Sequence, residues 1–129
     1  MNKRKIDELI PDAYKALKEV GIVEDNKIDK AWRGKIASFG ASIAMGSLLA
    51  AVCFFSVKSE KTKVDDKSKL ADAIFLLLDN SEKAGSSRLF EYVEKNLKAG
   101  KERRAKENIL NAAIALKLAM NLYDLEKGD

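Results

Sequence analysis

Apolar residues recur every three or four positions along most of the chain, the period of an amphipathic helix. Ile6, Leu9, Ile10, Ala13, Leu17 and Val20 predict a first helix over Ile6–Val20, stopped by Gly21. Pro11 lies early in it, where a missing N–H matters little, so the helix starts either before Pro11 or close to it. Ile22–Asn26 reads as a loop. A second helix starts near Lys27, with Ile28, Trp32, Ile36, Phe39 and Ile43 on one stripe. Gly34 and Gly40 lie inside it; each costs about 1 kcal/mol against Ala, which predicts close approach of another helix backbone. A break falls at Gly46-Ser47, where Ser47 is positioned to cap a third helix running from Leu48 to Phe55.

The polar stretch Ser59–Lys69 reads as an exposed loop, and Leu70, Ala73, Ile74, Leu77 and Leu78 mark the next helix. Ala84-Gly85-Ser86-Ser87 is a turn, and Leu89, Phe90, Val93 and Leu97 follow as a helix stopped near Gly100. The final helix is expected to be the longest, from Glu102 to Leu125. It carries two apolar stripes. One is Ile109, Ala113, Leu116, Met120 and Tyr123; the other is Leu110, Ile114, Leu118, Leu122 and Leu125. Two stripes suit a helix at the centre of a bundle, or one whose second stripe meets another protein. The expected fold is therefore all-α: residues 1–129 as a single-domain bundle of five or six helices, with a buried central helical hairpin.

No charged residue occurs from Ile36 through Val57, a run of about 22 residues. That length can cross a hydrocarbon core about 30 Å thick, so a small membrane-anchored protein using Ile36–Val57 is the alternative reading. Against it, Ser38, Ser42, Ser47 and Ser56 dilute the run, basic residues flank both ends, and the amphipathic helices around it need a core. No signal peptide is apparent at the basic N-terminus, where Asp7 and Glu8 precede any apolar run.

Composition removes most catalytic chemistry. Histidine is absent and there is one cysteine, Cys53, inside the apolar run. The usual general acid/base and metal ligand are thus missing, and a lone thiol builds neither a disulfide nor a thiolate metal site. Cys53 reads as a small buried hydrophobe, and an unpaired cysteine fits a reducing cytoplasm. No glycine loop is placed to cradle phosphate. Asp65-Asp66 reads as an exposed loop pair rather than a cation site, and carboxylates interleaved with lysines, such as Glu91 with Lys95, read as solvated i to i+4 pairs. The expectation is a protein that is not an enzyme and holds no metal or cofactor.

The net charge is +4, a mild excess that suits a polyanionic partner. Lys98, Lys101, Arg103, Arg104 and Lys106 crowd the start of the last helix. Cations are disfavoured at a helix N-terminus unless an anion is bound there, so these are candidate phosphate contacts carrying no sequence information. Arg33 and Lys35, beside Lys30, form a second candidate group. Trp32 lies among them but shares a stripe with Ile36, Phe39 and Ile43, which favours the core over stacking on a base. Leu110, Ile114, Leu118 and Leu122 are the candidate protein interface.

The stretch Ile36-Ala37-Ser38-Phe39-Gly40-Ala41-Ser42-Ile43, followed by Gly46-Ser47-Leu48-Leu49-Ala50-Ala51-Val52-Cys53-Phe54-Phe55, resembles the small helical subunit of the type III-B CRISPR effector, the Cmr complex. Ala13-Tyr14 in the first helix and Leu110, Ala113 and Leu116 in the last look like that family too. The resemblance implies a cytoplasmic, non-catalytic helical bundle that stands in a minor filament beside the backbone subunits. It implies contacts with neighbouring copies of itself, with other Cmr subunits including the backbone subunit, and with guide RNA and target RNA. It also implies no membrane attachment and cleavage by a different subunit.

Overall fold

The computed structural model describes residues 2–57 and 66–126. The chain is mostly helical, broadly all-α, with seven helices and a three-stranded sheet among the described residues. In chain order these are α1 (Lys3–Glu19), β1 (Val23–Glu24), β2 (Lys27–Asp29), α2 (Ala31–Met45), α3 (Leu48–Phe55), α4 (Ser68–Leu77), α5 (Asn80–Lys83), α6 (Leu89–Lys98), α7 (Glu102–Met120) and β3 (Asp124–Glu126). The count exceeds the five or six expected because the four-residue α5 has no apolar periodicity to announce it.

The helix ends follow local chemistry. Asn2 caps α1 by accepting the Lys5 N–H at 3.1 Å, and its own N–H reaches Oδ1 of the buried Asn111 at 3.2 Å. The helix continues through Pro11, which lies on the exposed side. Gly21, at φ +84, closes α1: Ile22 N–H bonds Leu17 O and Gly21 N–H bonds Lys18 O, the paired bonds of a Schellman stop. Gly100, at φ +73, ends α6 in the same way through Asn96 O and Leu97 O. Ser47 Oγ accepts the Ala50 N–H at 3.2 Å, so the break at Gly46 starts a separate helix.

Three expectations about elements are corrected. The segment after Gly21 is a β-hairpin rather than a loop, with Val23 opposite Ile28 and Glu24 opposite Lys27. Its two-residue turn is Asp25-Asn26, both at positive φ (53 and 60), which matches the twist a tight hairpin needs. The second helix therefore begins at Ala31, not Lys27, and Ile28 is a buried strand residue. The last helix stops at Met120, and Asp124–Glu126 runs parallel to β2 as the third strand, in the order β1-β2-β3. A three-residue strand is too short to show an alternating pattern in the sequence. Of the expected loop Ser59–Lys69, residues up to Asp65 lie outside the described residues; Asp66 Oδ1 accepts from Ser68 N and Oγ at the start of α4, and Lys69 is helical.

The core is one cluster built around α7, which packs on α1, α2, α4 and α6. Trp32, Ile36, Phe39 and Ile43 bury the inner face of α2, and Leu48, Ala51, Val52 and Phe55 that of α3. Phe39 and Phe55 meet edge to face at 4.8 Å across the two helices. Yet neither helix is covered all round. Ala37, Ala41 and Ala44 on α2 are exposed, and so are Cys53 and Phe54 on α3. The hairpin is thus buried on one side and open on the other, and Cys53 is exposed rather than a core residue. No helix among the described residues is long and apolar enough to cross a membrane, because the uncharged run Ile36–Val57 is divided at Gly46.

Candidate interaction surfaces

The second apolar stripe of α7 is the part of the sequence pattern that the core does not absorb. Ile109, Ala113, Leu116, Met120 and Tyr123 are all buried. Leu110 and Ile114 are only half-buried, while Leu118, Leu122 and Leu125 are 43 %, 62 % and 50 % exposed. Leu110 and Ile114 form one wall of a groove of about 340 Å³, whose other wall is Ile36, Ala37, Gly40, Ala41 and Ala44 of α2. Small side chains on α2 make the groove. At both Gly34 and Gly40 an added Cβ would meet nothing within 4 Å, so among the described residues no helix makes the close approach expected there. Among the described residues Lys117 is the one charged residue lining it.

The two basic groups are far apart. Arg33 and Lys35 lie in the first turns of α2, next to the sheet that joins the end of α7 to the start of α2. Lys101, Arg103, Arg104 and Lys106 lie at the opposite end of α7, which at 19 residues is about 28 Å long. Arg33, Lys35 and Lys106 are half-buried, while Lys98, Lys101, Arg103 and Arg104 are exposed. Trp32 is only 2 % exposed and cannot stack on a base from this position.

At the α7 end the cations have different settings. Lys98 pairs with Glu94 at 3.8 Å, both well exposed. Arg104 bonds Glu82 Oε1 at 2.7 Å, and Asn108 Nδ2 donates to Glu82 Oε2 at 3.0 Å and to the Tyr92 hydroxyl at 3.2 Å. Glu82 thereby ties α5 to α7. Burial is the main reason the Tyr92 phenol titrates above its usual range. The expected Glu91–Lys95 pair gives way to other partners. Glu91 Oε1 accepts both the N–H and the hydroxyl of Ser87 at 2.7 Å, which holds its carboxyl below the usual carboxylate range. Lys95 Nζ instead donates to Ala84 O at 2.6 Å. Sequence spacing alone could not show this, because the turn Ala84–Ser87 folds back over the helix that follows it.

Two clefts flank the Glu82–Arg104 pair. One, of about 130 Å³, is lined by Lys5, Leu9, Asp79, Asn108 and Asn111 together with the pair. The other, of about 230 Å³, lies between α5, the end of α6 and the start of α7. Asp79 Oδ1 accepts from the Ser81 N–H and hydroxyl, each at 3.0 Å, and these bonds hold its carboxyl below the usual carboxylate range. Among the described residues no group of three or more Cys, Asp or Glu side chains is arranged to hold a metal ion.

No family model matches the chain, and no curated protein or solved structure matches it either.

Proposed function

We propose that this chain is a non-catalytic structural subunit of a type III-B CRISPR (Cmr) ribonucleoprotein effector, forming the minor filament beside the backbone subunits and helping to hold guide and target RNA. The reading rests on the resemblance carried by Ile36–Ile43 and Gly46–Phe55. The observation that supports it most is the open groove between α2 and α7, continued by exposed Leu118 and Leu122. Contiguous apolar surface of this kind, bordered by few charges, commonly marks a protein-binding face. In this reading α2 and α3 form the central hairpin of the bundle, and their outer faces meet neighbouring copies and the backbone subunit. Basic residues at the two ends of α7 contact the RNA backbone as point charges, without reading bases. The protein works in the cytoplasm and leaves cleavage to another subunit.

Copurification tests this. Tagged protein expressed in its own cell is expected to bring down RNA and large CRISPR subunits. Recovery of the chain alone, or in the membrane fraction, would overturn the proposal.

A further inference from the structure

We propose that the cleft between α5, the end of α6 and the start of α7 is a phosphate-binding site, with a single-stranded RNA backbone as its ligand. Ser81, Glu82, Lys95, Asn96, Lys101 and Arg104 line it, three cations against one carboxylate. That carboxylate is already engaged, since Glu82 takes Arg104 on one oxygen and Asn108 on the other. Among the described residues the cleft therefore presents an excess of positive charge with its one carboxylate satisfied.

Two of the three cations, Lys95 and Arg104, are also held in place. Lys95 is pinned by Ala84 O at 2.6 Å, which uses one of its three donors and leaves two. Arg104 is pinned through Nη2 to Glu82, with its other guanidinium N–H groups free of that contact. Asn96 Nδ2 donates to Tyr92 O and keeps a second N–H. Side chains already ordered by the protein have less conformational entropy to lose when an anion arrives, which separates this cleft from a solvated run of lysines. At about 230 Å³ it is smaller than the roughly 300–1,000 Å³ of a cofactor-sized pocket and suits one charged group on a chain. Lys95 is absent from the basic cluster visible in the sequence; the fold adds it.

The RNA source rests on the subunit reading above, whereas phosphate binding stands on the cleft alone. The test uses the full chain with two probes, inorganic phosphate and a short fluorescent oligouridylate. Lys95→Gln with Lys101→Gln removes two charges and leaves the Arg104–Glu82 clasp intact. Lys15→Gln with Lys18→Gln, exposed on α1 and outside both basic groups, is the charge-matched control. The cleft variant is expected to lose at least about tenfold in oligouridylate affinity at low salt, with the slope of log K against log salt shallower by about 1.4, two contacts at 0.7 each. The control is expected to change affinity by less than about threefold. Inorganic phosphate is expected to shift the backbone amide resonances of Asn96, Lys101 and Arg104. Phosphate shifts without any loss of oligouridylate binding in the cleft variant would keep the site and assign it to a free or small-molecule phosphate. Equal losses in both variants, or no phosphate shifts, would overturn the site. Failure of the chain to copurify with CRISPR subunits would sink the subunit reading and leave the phosphate result standing.

Discussion

The Tyr123 hydroxyl donates to the Tyr14 carbonyl oxygen at 2.6 Å, and the two rings stack 4.5 Å apart and 5° from parallel. One residue thus ties the segment leaving α7 to the middle of α1, with Lys18 Nζ 5.2 Å from the Tyr14 ring centroid. Tyr123→Phe keeps the stack but loses the hydrogen bond, and is expected to lower stability by about 1 kcal/mol. Tyr123→Ala removes both and is expected to cost about 3 kcal/mol or more. Urea unfolding followed by the fluorescence of Trp32, the only tryptophan, measures both; equal losses would show that the hydrogen bond contributes nothing beyond the ring.

The same contact sets a pH dependence. Burial, then the neighbouring Tyr14, pushes the Tyr123 phenol up to about 12. Its folded value lies above the ordinary value of about 10, so its contribution to stability is complete below pH 10 and is lost as pH rises towards 12. Ultraviolet titration of the three tyrosines should show a component near pH 12 that is absent in Tyr123→Phe, while the raised titration of Tyr92 remains. A component near pH 12 that persists in that variant would assign it elsewhere.

Two glycines should respond in opposite directions to alanine. Gly21 sits at φ +84, where a Cβ is strained, so Gly21→Ala is expected to destabilise by about 1 kcal/mol. Gly40 is helical with open space around it, so Gly40→Ala is expected to stabilise the isolated chain by up to about 1 kcal/mol. The added methyl also narrows the α2–α7 groove, and copurification with partner subunits should fall. A stabilised chain with undiminished assembly would separate the groove from docking.

Leu118 and Leu122 should be indifferent to folding and sensitive to assembly. Glutamate at either position is expected to change unfolding free energy by less than about 0.5 kcal/mol, because both side chains are exposed. Leu116→Ala, on the buried stripe of the same helix, should cost about 2–5 kcal/mol. Pull-down of the two glutamate variants beside wild type reads the interface, and normal recovery of partners would exclude this stripe.

Cys53 faces outward on α3, so one thiol per chain should react with Ellman's reagent in the folded protein. Reaction only after denaturant is added would place it in the core.

Much of the helical framework was legible because its signals are local. Gly21 and Gly100 ended helices where a left-handed residue was needed, Ser47 capped α3, and the inner stripes of α1, α2 and α7 matched the core. The hairpin at Asp25-Asn26 also had a local signal, two residues that tolerate positive φ, but β1 and β2 are too short to show strand alternation. Helical spacing could say that α7 has two apolar stripes and could not say which one is covered. That depends on where α1, α2, α4 and α6 pack, a matter of contacts distant in sequence. For the same reason the pairing of β3 with β2, the outward face of Cys53, and the meeting of Lys95 with Lys101 and Arg104 belong to tertiary structure. Periodicity and caps reflect neighbours within about one helical turn. Burial reflects partners tens of residues away, and the grouping of Lys95 with Lys101 and Arg104 depends on how the chain turns between α6 and α7; only the packed chain decides either.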